Sequence, residues 1–219
     1  MNKRFIALLL IFIFTFTLTS CGNDKQQDES STPTDNFSQK SNDKSSLPQS
    51  DDNNKGEETE DKILIAYFTR TNNTKKIAQQ IHERVGGDLI QIVTVNSYPE
   101  DYNECTAQAS KELEEDFRPE LQTIIENMDD YDVIYLGYPN WWGTIPMPIA
   151  TFLESYNFSG KTIIPFCTHG SSRLGRSEAH ISELAPQATL REGLAIQGTN
   201  VDFAQDEVEA WLKNLGEID

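Results

Sequence analysis

Residues 62–78 read KILIAYFTRTNNTKKIA, and this stretch decides the fold. Lys62–Tyr67 is a short, nearly continuous apolar run of the kind that forms a strand buried on both faces. Asn73–Val85 carries apolar side chains three and four residues apart, which predicts an amphipathic helix. A buried strand that passes through a polar loop into a helix is the repeating unit of a parallel α/β sheet.

The same alternation continues to the end of the chain. We predict four further strands and four further helices: strands over 88–95, 132–138, 161–167 and 190–196, and helices over 102–115, 147–156, 177–184 and 205–215. Strands that alternate with helices in this way predict an α/β fold, a doubly wound, five-stranded parallel sheet covered by helices on both faces.

Residues 1–21 have the pattern of a secretion signal. Lys3 and Arg4 precede the uncharged, mostly apolar run Phe5–Leu18, which is too short to span a bilayer but has the length of a signal h-region. Leu18-Thr19-Ser20-Cys21 then resembles a bacterial lipobox. We expect Cys21 to be lipidated, so that acyl chains anchor the protein to a cell membrane on its extracytoplasmic face.

Residues 22–61 are predicted to be a disordered polar tether. Phe37 and Leu47 are the only large apolar residues in this segment, too few to offset the conformational entropy of folding. The chain carries −17 in total; subtracting +2 for residues 1–21 and −7 for residues 22–61 leaves −12 on the predicted domain, residues 62–219. This acidity excludes nucleic acid as a partner and disfavours electrostatic attachment to anionic lipid.

Other site classes are also disfavoured. Three widely spaced cysteines exclude a disulfide framework and a multi-cysteine metal centre, and we expect no metal site. Cys105 is predicted to be an exposed helix thiol and Cys167 a buried strand residue. Gly170-Ser171-Ser172-Arg173-Leu174 lacks the final glycine of a hydrolase nucleophile elbow.

Ligands of open parallel sheets bind beyond the carboxyl ends of the strands, so the residues after each strand are the candidate site. The first loop combines hydroxyls, amides and backbone N–H groups at the start of a helix: it contains Thr69, Arg70, Thr71, Asn72, Asn73 and Thr74. This composition suits a phosphate. The alternative is a polar turn in which Asn73 or Thr74 only caps the helix.

Two other loops complete the candidate site. The tryptophan loop, residues 139–146, contains Pro139, Asn140, Trp141, Trp142 and Gly143, and at least one tryptophan should be exposed for stacking on a flat ligand, although both could instead cap the core. The histidine loop, residues 168–175, contains Thr168, His169, Gly170 and Ser171. Its glycines allow close backbone approach, and His169 either offers positive charge to a reduced ligand or is an ordinary loop histidine. Together the three loops describe a pocket for flavin mononucleotide (FMN).

Three stretches also resemble the flavodoxin-like domains of the bacterial branch with a Pro-Asn-Trp-Trp loop. They are ILIAYFTRTNNTKKIA (63–78), YDVIYLGYPNWWGTIPMP (131–148) and FSGKTIIPFCTHGSSRLG (158–175), and the resemblance extends over nearly all of 62–219. It implies the strand order 2-1-3-4-5 and noncovalent FMN as cofactor.

The resemblance also implies a role for each loop. Thr69, Thr71, Asn73 and Thr74 would bind the phosphate, and Arg70 and Asn72 would contribute backbone. Pro139–Gly143 would flank the isoalloxazine, with a tryptophan on its face, and Thr168–Ser171 would line its pyrimidine edge. Asn72 departs from the family, which has glycine at this position; asparagine tolerates positive φ, with a possible loss of FMN affinity. Arg70 is also unusual there and could compensate.

We therefore expect a lipid-anchored electron carrier that binds FMN and docks basic redox proteins on its acidic surface. One alternative is an FMN-dependent NAD(P)H:quinone-type oxidoreductase, which needs room beside the flavin for a second planar molecule. Another alternative is a flavin-free interaction module on the same fold. The asparagine at position 72, where the family has glycine, leaves this alternative open.

Overall fold

The computed structural model describes residues 61–219. The predicted signal and lipidated Cys21, and all but the last residue of the predicted tether, lie outside this range. The strands are β1 (Ile63–Tyr67), β2 (Asp88–Gln91), β3 (Val133–Pro139), β4 (Thr162–His169), β5 (Thr189–Leu190) and β6 (Leu194–Gln197). The helices are α1 (Asn73–Val85), α2 (Tyr102–Glu114), α3 (Met147–Ser155), α4 (Ser177–Leu184) and α5 (Gln205–Leu215), with 3₁₀ turns at Met128–Asp130 and Val201–Phe203.

All strand pairs of the sheet are parallel. The order is β2-β1-β3-β4-β5, and β6 also pairs with β4, beyond β5 along the same edge. The predicted doubly wound α/β sheet and its strand order 2-1-3-4-5 are confirmed, because β5 and β6 together occupy the position of the predicted fifth strand. Parallel pairing also brings the carboxyl ends of β1, β3, β4 and β6 to one edge of the sheet.

Each face of the sheet has its own hydrophobic core, as alternating strand residues require. On one face, Leu64, Ile134 and Ile163 pack with residues of α3 and α4. On the other face, Ile65 and Tyr135 pack with residues of α1 and α5. The central strands are buried almost throughout, which explains their continuous apolar sequence.

The predicted fifth strand, 190–196, is interrupted. Its middle lies opposite Pro165 of β4, which has no N–H to donate to a strand ladder. Other partners take the backbone groups of the interruption: Gly193 N donates to Glu178 Oε1 over 3.1 Å, and Glu192 O accepts from Trp211 Nε1 over 3.1 Å. Side chains of α4 and α5 therefore supply hydrogen-bond partners for the backbone of the interrupted strand.

The predicted second strand, 88–95, is too long. The strand ends at Gln91, although Ile92 N still donates to Tyr67 O over 2.7 Å. The next residues have a different partner: Thr94 forms an antiparallel bridge with Leu121, and Val95 N donates to Glu120 O over 2.9 Å. The partner residues lie nearly thirty positions further along the chain, so local periodicity does not reveal this pairing. Among residues 61–219, no helix is both long and apolar enough to cross a membrane.

Candidate functional site

The first loop joins β1 to α1 and presents a row of free N–H groups. Within residues 61–219, the backbone N–H groups of residues 69–74 have no hydrogen-bond acceptor. Asn72 stands directly before the helix with φ 64° and makes no side-chain cap. The polar-turn alternative gave the capping role to Asn73 or Thr74, but both lie inside α1, and the Thr74 hydroxyl pairs with Thr168. The left-handed Asn72 lets the loop turn into the helix, whose positive dipole end adds to the donors. This arrangement is suited to an anion.

The side chains of the first loop make specific contacts. Thr74 Oγ1 lies 2.9 Å from Thr168 Oγ1, and both residues are buried. Arg70 reaches the segment before α2, where Nε and Nη2 donate to Pro99 O over 3.3 and 3.1 Å and Nη2 also donates to Glu100 O. These acceptors are neutral carbonyls, and no carboxylate of the described chain forms an ion pair with Arg70, so no neighbouring negative charge compensates the guanidinium.

The tryptophan loop contains a two-residue turn. Trp142 and Gly143 have φ 54° and 77°, and Trp141 and Thr144 exchange two backbone hydrogen bonds of 3.1 Å. The turn directs the two indoles differently. Trp141 packs edge-on against Phe68 and Tyr98, with ring centroids 5.5 and 5.0 Å away, whereas Trp142 is 58% exposed. The prediction that at least one tryptophan is exposed is confirmed by Trp142, and the alternative that both cap the core is wrong.

Within residues 61–219, two buried polar atoms beside these loops have no hydrogen-bond partner. Asn140 uses its amide nitrogen to donate to Arg173 O (2.8 Å) and Leu174 O (3.1 Å), which leaves its Oδ1 without a donor. His169 Nδ1 also has no partner. Burial lowers the pKa of His169 below its ordinary value of 6.5, so the imidazole is neutral at neutral pH. This direction opposes the hypothesis that His169 supplies positive charge.

A cleft of about 460 Å³ lies at the carboxyl edge of the sheet, and we call it the main cleft. Its lining includes nine predicted site residues: Arg70, Thr71, Asn73, Pro139, Asn140, Trp141, Thr168, His169 and Gly170. The remaining predicted residues Thr69, Asn72, Thr74, Trp142, Gly143 and Ser171 stand outside this lining. Thr69 borders a separate depression with Tyr98, and Trp142 borders the cavity described next.

Four lining residues of the main cleft are absent from the sequence prediction: Tyr102, Gln197, Gly198 and Thr199. Residues 197–199 follow β6, which ends at the same edge of the sheet as the other strands. The rule that ligands bind after the strands therefore predicts them as site residues. Gly198 N donates to His169 O over 2.9 Å, which holds this loop against the histidine loop. The sequence does not indicate Tyr102, at the start of α2, because that helix is too polar for its buried face to be predicted.

A second cavity of about 400 Å³ adjoins the main cleft, and we call it the side cavity. Arg70, Tyr102, Asn140 and Trp141 border both spaces, and Cys105, Thr106, Ala109 and Trp142 border the side cavity. Cys105 is 3% exposed, so its prediction as an exposed thiol is wrong: the face of α2 that carries it turns toward Trp142. Burial is the main cause that raises the pKa of the Cys105 thiol.

The model of the family described as Flavodoxin matches residues 62–215. The chain belongs to the flavodoxin family. This membership agrees with the sheet order and with the three loops at its carboxyl edge. No curated protein sequence matches the chain.

Several solved structures are similar to this flavodoxin-family chain. A protein assigned as a flavoprotein from Bacteroides eggerthii is 33% identical, with a TM-score of 0.63, and the match covers 71% of this chain and 98% of that one. A second, from Bacteroides uniformis, is 32% identical over 70% and 98% of the two chains, with a TM-score of 0.63. A flavoprotein from Lactobacillus acidophilus in complex with FMN is 26% identical over 65% and 97%, with a TM-score of 0.56.

Proposed function

We propose that this flavodoxin-family domain binds FMN in the main cleft and serves as an electron carrier. The observation that carries the proposal is the row of unpaired N–H groups over residues 69–74 at the start of α1, next to a cleft with aromatic walls. The Lactobacillus acidophilus relative in complex with FMN supports the choice of ligand. Thr71 and Asn73, which line the main cleft, and the backbone around Asn72 would hold the phosphate.

The main cleft also has walls that fit a flat heteroaromatic ring. Trp141 and Tyr102 supply aromatic surface, and Asn140 Oδ1 is a buried acceptor that lacks a donor in the described chain. A ring N–H is a group that such an orphaned acceptor accepts. His169 and Gly170 line the same cleft from the histidine loop. The residues present therefore fit both the phosphate and the ring of FMN.

FMN supplies the electron chemistry when bound, and the protein supplies binding, orientation and charge. Arg70 brings an uncompensated positive charge to a domain of net −12. Its contacts with Pro99 and Glu100 brace the segment before α2, so that Tyr102 keeps its place on the wall of the cleft. The acidic surface would attract redox proteins with a basic docking face and would do so less strongly at high salt.

We further propose that the domain acts outside the cytoplasm, anchored by lipid on Cys21. The short apolar run after Lys3 and Arg4, followed by Leu-Thr-Ser-Cys, supports this proposal. The polar segment 22–61 would then separate the domain from the membrane. Labelled palmitate should be incorporated into the full-length protein in bacterial cells and not into a Cys21→Ser variant; equal labelling of the two would contradict the anchor.

The cofactor is tested on residues 22–219, the chain without its predicted signal and lipidated cysteine. After incubation with FMN and gel filtration, the protein should be yellow and hold about one flavin per chain. A protein that remains colourless would refute FMN binding and favour the interaction module. Riboflavin, which lacks the phosphate, should be retained much less well because the free N–H groups would then have no anion to bind.

An oxidoreductase that uses the same FMN is the second candidate, and the side cavity favours it. That space shares four lining residues with the main cleft and could admit a second molecule beside the flavin. Multiple turnovers of NADH or NADPH oxidation with a quinone would favour the oxidoreductase. No oxidation without an added reductase would favour the carrier.

A further inference from the structure

The side cavity has the chemistry of a binding site in its own right. It lies between α2 and the tryptophan loop, with aromatic rings from Tyr102 and Trp142 on its walls. Trp142 is fixed across the gap, since its Nε1 donates to Thr106 O over 3.1 Å. The buried Cys105 and Ala109 add apolar surface, and Thr106, Asn140 and Arg70 are the polar residues of the lining. Such walls suit a flat and largely uncharged molecule.

One polar group of the side cavity distinguishes among flat molecules. The Nη1 group of Arg70 has no acceptor within residues 61–219, whereas Nε and Nη2 are engaged by Pro99 and Glu100. A fixed guanidinium with a free N–H group is a strong donor to a carbonyl or phenolic oxygen. The cavity therefore offers aromatic surface together with a hydrogen-bond donor for a ring oxygen.

Charge argues against a dinucleotide in this space. A nicotinamide dinucleotide carries at least two phosphate charges, and Arg70 is the one cationic residue among those that line the side cavity in the described chain. A neutral quinone has no charge to compensate.

We propose that the side cavity binds a small quinone, with a ring oxygen accepting from Arg70. This proposal deepens the proposed function and rests on it, because a quinone there would lie beside the cleft that takes FMN. Quinone binding itself requires no flavin. It is therefore measured separately on flavin-free and FMN-loaded protein, and failure of one proposal can be told from failure of the other.

The probe is duroquinone, whose fully substituted ring does not alkylate thiols such as Cys105. Binding to residues 22–219 is measured by equilibrium dialysis. Ala109→Leu fills the side cavity at a residue outside the lining of the main cleft, and Ala107→Leu makes the same change at an exposed position of the same helix. We expect Ala109→Leu to weaken duroquinone binding about tenfold or more, and Ala107→Leu to leave it within about twofold of wild type.

Thr106 is half-buried and also lines the side cavity, so Thr106→Leu should narrow that cavity. This variant replaces Ala109→Leu in the experiment if Ala109→Leu does not fold. It should also weaken duroquinone binding while FMN uptake stays unchanged. Absence of saturable binding, or equal affinity in wild type, Thr106→Leu and Ala109→Leu, would overturn the proposal. Competition between FMN and duroquinone would assign the cavity to the flavin, and displacement by NADH would assign it to a dinucleotide; either result also overturns it.

Discussion

The hydroxyl oxygens of Thr74 and Thr168 lie 2.9 Å apart in the interior of the protein, 94 positions apart in the sequence. Thr74 is in the first turn of α1, and Thr168 is next to the end of β4. Their hydrogen bond therefore ties the first loop to the histidine loop across the carboxyl edge of the sheet. Because both residues are 5% exposed or less, loss of one hydroxyl leaves the other without its buried partner.

We predict that Thr74→Ala weakens FMN binding about tenfold and riboflavin binding much less, because the bond positions the N–H groups that would hold the phosphate. Thr74→Ser retains the hydroxyl and should bind FMN nearly as wild type does. Fluorescence titration with both flavins measures the effect. An equal loss of affinity for FMN and riboflavin would contradict the role of the first loop in phosphate binding.

Asn72 provides a second test of the first loop, because its φ of 64° is costly for a β-branched side chain. Asn72→Val should lower the free energy of unfolding by about 1–2 kcal/mol and weaken FMN binding. Asn72→Gly should fold as well as wild type and bind FMN at least as tightly. Denaturant unfolding and FMN titration check the two effects, and a Val variant as stable as the Gly variant would show that the loop is unstrained.

Two glycines of the histidine loop should respond differently to the same substitution. At Gly175, with φ 57°, an added Cβ would clash with the carbonyl oxygen of Gly143 and separate the histidine loop from the tryptophan loop. Gly170 has no atom within 4 Å of an added Cβ. Gly175→Ala should therefore lower the free energy of unfolding by about 2 kcal/mol, while Gly170→Ala should leave stability within about 0.5 kcal/mol.

Since Gly170 lines the main cleft, Gly170→Ala should nevertheless reduce FMN affinity. Thermal unfolding of the flavin-free proteins and FMN titration separate the two effects. A Gly170→Ala protein with unchanged FMN affinity would place the flavin away from this loop.

Stability should fall as the pH drops below about 6.5, because burial lowers the pKa of both His169 and His180 in the folded protein. Below that pH the unfolded chain binds protons that the folded protein does not bind. This difference in proton binding lowers the free energy of unfolding until the pH passes the folded-state pKa values. His169→Gln and His180→Gln should each make the dependence shallower. Denaturant unfolding of flavin-free protein between about pH 7.5 and 5.5 tests this, and slopes equal to wild type in both variants would contradict it.

The local sequence pattern predicted most strands and helices correctly. Each of these elements contains a continuous apolar run or a helical repeat of apolar residues within one short segment. The errors arose where a distant partner decided the structure. Residues 93–95 leave the sheet to pair with residues 120–123, and the fifth strand is interrupted opposite Pro165. Gly198 and Thr199 were missed for a different reason: they follow the last strand, where the rule that ligands bind after the strands would have included them, and Gly198 N donates to His169 O there.

The sequence by itself determined the alternation of strands and helices and the composition of the three loops that line the main cleft, because periodicity and turn residues act within a few positions. Tertiary structure alone decided which groups are free to bind. It engages Nε and Nη2 of Arg70 with Pro99 and Glu100, leaves the oxygen of Asn140 without a donor and opens a side cavity between α2 and Trp142. Each of these features depends on contacts between segments far apart in the chain, whose registers no local pattern specifies.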